Sequence, residues 1–85
     1  MAVPNKPIQL TPEEIETIAA RLGEMRHAVN NCLALVVASA ELVRLKPDAS
    51  ARVLENLLEQ PDKVVEEIRK FSREFEKVLQ ITPDA

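Results

Sequence analysis

The chain has one histidine, one cysteine and one glycine in 85 residues, and no tryptophan or tyrosine. Each scarcity removes a class of protein. A single glycine, Gly23, leaves little material for the tight turns of a sheet, and for the glycine-rich loops that hold a nucleotide. A lone cysteine, Cys32, excludes a disulfide within the chain and reads as a small buried hydrophobe in a reducing compartment. The only histidine, His27, has no second imidazole with which to build a metal site, so neither metal nor cofactor is expected. Phe71 and Phe75 are the only aromatics and fall on an inward-facing spacing, so they offer no stacking platform for bases. A net charge of −3 with no dense Lys/Arg stretch gives no electrostatic footprint for nucleic acid. Residues 1–10 contain Pro4 and Pro7 and lack the apolar core of a cleavable signal. The apolar run Cys32–Ala40 is shorter than the ~20 residues of a membrane span. These absences predict a cytoplasmic protein with no membrane partner.

What is present is material for helix–helix packing. The apolar inventory is mostly Leu, Val, Ile and Ala, within a hydrophobic content of 46%. Residues 1–10 read as an extended N-terminal arm, because proline disfavours helix in its neighbours. Thr11 then opens a helix as an N-cap, with Pro12 in the first turn and Glu14 completing a capping box. A heptad phased on Ile15 continues through Ile18, Leu22, Met25, Val29, Cys32 and Val36, the 3,4 alternation of a packing seam. This helix is expected over about 12–45, with Arg44 and Lys46 at its C-terminal end and Pro47 as its stop.

The second half poses a choice at Pro61. An internal proline costs about 3 kcal/mol and favours two short helices. The apolar spacing Leu54, Leu57, Pro61, Val64, Ile68, Phe71, Phe75 and Val78 passes through it without losing phase, which predicts one helix over about 49–80, kinked near Pro61. Two helices of similar length with a short connection make an antiparallel hairpin spanning 11–82. Leu33, Leu35, Val37, Ala40 and Leu42, with Val53, Leu58, Val65 and Leu79, widen the apolar stripes beyond what one partner helix covers. The expected fold is therefore all-α, a hairpin completed as a four-helix bundle by homodimerisation.

In this frame His27 lies opposite the seam, and Asn31 follows one helical turn later on the same outer face. An exposed imidazole is a nucleophile that titrates near neutral pH, suited to phosphoryl chemistry. The plainer reading is an ordinary surface histidine.

The segment from Leu22 through His27-Ala28-Val29-Asn30-Asn31-Cys32-Leu33 to Val37, continuing to Ala40-Glu41-Leu42, resembles the phosphoacceptor box of two-component sensor histidine kinases. The closest likeness is to the form with two adjacent asparagines that is common in hybrid kinases. The specific likeness covers residues 22–43; residues 48–80 match as a second helix of similar length. It implies a dimerisation and histidine phosphotransfer domain that exchanges phosphate with a response-regulator receiver. His27 would be the phosphoacceptor and Asn31 the amide at the fourth following position, with Asn30 and Glu24 as candidate orienting groups. Where that family usually carries an acid directly after the histidine, this chain has Ala28, which cannot accept a proton. No part of the chain could bind ATP. Autokinase activity is therefore not expected, and phosphotransfer is the most that the residues offer. The alternative is a catalytically degenerate helical scaffold that dimerises and does no chemistry.

Overall fold

A computed structural model describes residues 2–82 as two long helices packed side by side. The first, α1 (Pro12–Leu45), starts at a complete capping box. The Glu14 N–H donates to Thr11 Oγ1 at 3.1 Å, and the Thr11 N–H donates to Glu14 Oε1 at 2.9 Å. Two donors that lack helical partners are thereby satisfied. At the other end Pro47 forces Lys46 out of helical geometry, to φ −135° and ψ 78°. A single 3₁₀ turn, Pro47–Ala49, reverses the chain, and the Ser50 hydroxyl donates to the Pro47 carbonyl at 2.6 Å.

The second helix, α2 (Ser50–Val78), passes through Pro61 without interruption. Its C-terminus is closed by a left-handed residue, Gln80 at φ 56°. The Ile81 N–H reaches the Glu76 carbonyl at 2.8 Å, and the Gln80 N–H points to the Lys77 carbonyl at 3.4 Å. This is the two-bond helix stop usually built on glycine. The N-terminal arm does not float free of the hairpin. Ala2 and Thr82 exchange both backbone hydrogen bonds, at 2.9 and 2.8 Å, as an isolated antiparallel bridge.

Cys32 and Val36 of α1 line a groove with Leu57 and Val64 of α2, while Arg21 and Met25 line another with Phe71 and Glu74. Early residues of one helix thus meet late residues of the other, which makes the hairpin antiparallel. On α1 the seam is the one that the heptad predicts, from Ile18 to Val36, and it continues through Ser39 and Val43. Ile15 departs from it and is exposed, because it lies near the open end of the hairpin.

On α2 the seam must be corrected. Leu54, Pro61 and Ile68, expected inside, are exposed, and their neighbours Val53, Gln60 and Glu67 are covered instead. The physical reason is that α2 has two apolar faces sharing a boundary. Val53, Leu57, Val64, Phe71 and Val78 turn towards α1, whereas Leu54, Leu58, Pro61, Val65 and Ile68 form a second stripe beside them. The two phenylalanines stay together, with ring centroids 5.6 Å apart.

This hairpin covers little of its own surface. Cys32 and Val53 are the only buried hydrophobic residues among those described, and no large side chain is fully enclosed. The accessible surface is 6823 Å², against about 5,000 Å² for a compact chain of this mass. The radius of gyration is 18.1 Å, where about 12 Å is usual for this length. The molecule is a slab of 59 × 28 × 12 Å. By length and composition alone α1 could cross a membrane, since it contains an 18-residue stretch of mean hydropathy 1.4. That stretch is wider than Cys32–Ala40, because it tolerates up to two charged residues. Core helices of soluble proteins, which are mostly buried, and signal sequences pass the same test, whereas only 6% of this stretch is buried in the hairpin.

Candidate functional site

His27 is held on the outer edge of the slab by the helix itself. Met25, Val29 and Cys32 face α2, and an imidazole at position 27 then points the opposite way. Asn31 is exposed about 6 Å further along the axis on the same side. Asn30 is exposed as well, one position before Asn31 and turned towards the other flank of α1. His27 and Asn31 are thus together on one open surface, and Asn30 borders it.

Glu24 is exposed on this surface as well. Its Oε2 accepts from Arg21 Nη1 at 2.9 Å. This bond and the charge of Glu24, with a smaller contribution from Glu74 across the helix pair, raise the Arg21 guanidinium above its ordinary value. Glu24 thus lies one turn before His27, with its carboxylate paired to Arg21 on the open surface. Ala28 is half-buried at the flank of the seam and brings no proton acceptor to the ring.

Two grooves run along the helix pair. One, of about 340 Å³, is bordered by Arg21, Glu24, Glu67, Lys70, Arg73 and Glu74, with Met25 and Phe71 at its floor. Its charges alternate in sign, so it presents no field of one sign to steer a charged ligand. The other, of about 560 Å³, is lined by Cys32, Leu33, Val36, Leu57, Leu58, Pro61, Val64 and Val65, with one polar member, Gln60. Gln60 is 5% exposed. Its Nε2 donates to the Asn56 carbonyl at 3.0 Å, and its Oε1 is buried with no donor.

Leu33, Leu58 and Val65 of the apolar groove belong to the widened stripes that the sequence shows, whereas Gln60 gives no apolar signal. On α2 the stripe is carried by the 4,3,4,3 spacing of Leu54, Leu58, Pro61, Val65 and Ile68, which runs parallel to the seam. Among the described residues no group of three or more His, Cys, Asp or Glu side chains is placed to hold a metal ion. Comparison with protein-family models, with curated proteins and with solved structures finds no match to this chain.

Proposed function

We propose that the hairpin is a phosphotransfer module of two-component signalling, with His27 as the phosphoacceptor and a homodimer as the working unit in the cytoplasm. The observation that carries this reading is the exposure of His27 on the outer edge of α1, with Asn31 one turn away on the same side. A receiver's aspartyl phosphate must reach an imidazole nitrogen in line with the bond that breaks, and an open helix face allows that approach.

The chemistry asks little of the surrounding residues. The unprotonated ring nitrogen attacks phosphorus and forms a P–N bond. The P–O bond to the receiver aspartate breaks, and its electron pair returns to the carboxylate. The proton on the other ring nitrogen stays in place, so no general base is needed for this step. Asn31 donates a hydrogen bond to the phosphoryl oxygens but cannot act as a base. Attack on ATP asks for more, because the nucleotide must be held in line with the ring and Ala28 offers no carboxylate to orient the imidazole for it.

The lack of that carboxylate favours a second reading, a dimerising scaffold without phosphoryl chemistry. Incubation with phosphorylated receiver domains separates the two. Acid-labile phosphate on the wild-type chain, absent from His27→Gln, supports phosphotransfer. A chain that stays unlabelled while it dimerises leaves the scaffold.

A further inference from the structure

Gly23 is the one glycine of the chain, and α1 gives no reason for it. It sits inside a continuous helix, without the positive φ that glycine tolerates best. A Cβ added to it would meet nothing within 4 Å, so no neighbouring element comes close enough to require its absence. Glycine is the poorest helix former after proline, and alanine would suit this position better. A cost that the hairpin does not explain points to something that the hairpin meets.

The place of Gly23 on the helix says what that is. It precedes His27 by one turn, about 6 Å along the axis, on the same outer face. Helical side chains lean towards the N-terminus, so the imidazole reaches out over the turn that carries Gly23 and Glu24. These two neighbours make the flanks of the ring unlike. On one flank Glu24 brings a carboxylate, drawn round towards Arg21 at 2.9 Å. On the other Gly23 presents no side chain, and the exposed Asn30 and Arg26 that border it bring an amide and a guanidinium. A phosphoryl dianion is repelled by the first flank and not by the second.

We infer that Gly23 is a clearance position for the phosphoryl donor. The rim of the receiver's active site settles over the Gly23 turn, and the phosphoryl group reaches His27 from the flank of Asn30 and Arg26. This rests on the phosphotransfer reading above and adds the side from which the partner comes. In-line transfer brings the phosphorus within about 3–3.5 Å of the ring nitrogen, so the donor's surface must come close to the helix beside that ring. Aspartate is a short side chain, and its phosphate extends little beyond the protein surface that bears it. A side chain at residue 23 would stand between the two surfaces. Gly23 thereby sets the position of the donor and touches no reacting atom.

The test compares a bulky donor with a small reagent at the only histidine of the chain. Gly23→Ala and Gly23→Leu are assayed for phosphate uptake from phosphorylated receiver domains. Both are also assayed for carbethoxylation by diethyl pyrocarbonate, which needs only an open imidazole. Gly23→Leu is expected to slow phosphotransfer by roughly tenfold or more. Gly23→Ala slows it less while being the more stable protein, so loss of fold is not the cause. Carbethoxylation is expected to be unchanged in both. Transfer to Gly23→Leu at the wild-type rate overturns the inference and leaves the phosphotransfer reading standing. Equal slowing in the two reactions also overturns it, by placing the effect of the leucine on the ring and not on the donor. A wild-type chain that diethyl pyrocarbonate leaves unmodified overturns it too, since the flank would then be closed. A wild-type chain that is carbethoxylated but takes no phosphate ends the phosphotransfer reading, and this inference with it.

Discussion

At the scale of single residues, the fold depends on a few covered positions and tolerates change at many others. Val53 is 6% exposed and packs in the seam. Val53→Asp would place an unpaired carboxylate between the helices and cost on the order of 3–5 kcal/mol, comparable with the whole stability of a domain this small. Urea denaturation should show that loss; an unchanged midpoint would mean that Val53 does not face α1. Gly23 gives the opposite case. A methyl group added there meets nothing within 4 Å, so Gly23→Ala should stabilise α1 by about 0.5–1 kcal/mol. A null result in the same assay would imply that residue 23 departs from helix in solution. Gln80 adopts φ 56° without being glycine, and Gln80→Gly should recover about 1 kcal/mol.

At the scale of elements, how much was legible follows from how local each signal is. The start of α1 was readable because a capping box involves only Thr11, Pro12 and Glu14. The outward position of His27 was readable because Met25, Val29 and Cys32 define one face and its neighbours on the opposite face, Glu24 and Asn31, are polar. The inward face of α2 was misread at three positions because Leu54, Pro61 and Ile68 belong to a second apolar surface, and periodicity does not say which surface an apolar residue serves. Gln60 and Glu67 were missed in the seam because polar residues give no apolar signal. Pro61 lies within α2, where it leaves the Leu57 carbonyl without its usual donor. Pro61→Ala should raise the melting temperature, by an amount corresponding to at most about 3 kcal/mol. A lower melting temperature would show that Pro61 contributes more through its packing in the groove than it costs the helix.

At the scale of the whole molecule, the hairpin is an elongated slab with an apolar side and a histidine on its outer edge. Leu58 is 72% exposed in the single hairpin, so Leu58→Arg should leave the helix pair intact while weakening dimerisation at least tenfold by light scattering. Unchanged self-association would move the interface elsewhere. Whether His27 accepts phosphate is decided by following one phosphoryl group. Receiver domains charged with radiolabelled phosphate are mixed with the wild-type chain or with His27→Gln, and label is tracked on both proteins over time. With a phosphoaccepting His27, label leaves the receiver faster in the presence of wild type and appears on it in acid-labile form, while His27→Gln does neither. Label that decays from the receiver at the same rate with either chain, and reaches neither, would contradict phosphotransfer to His27.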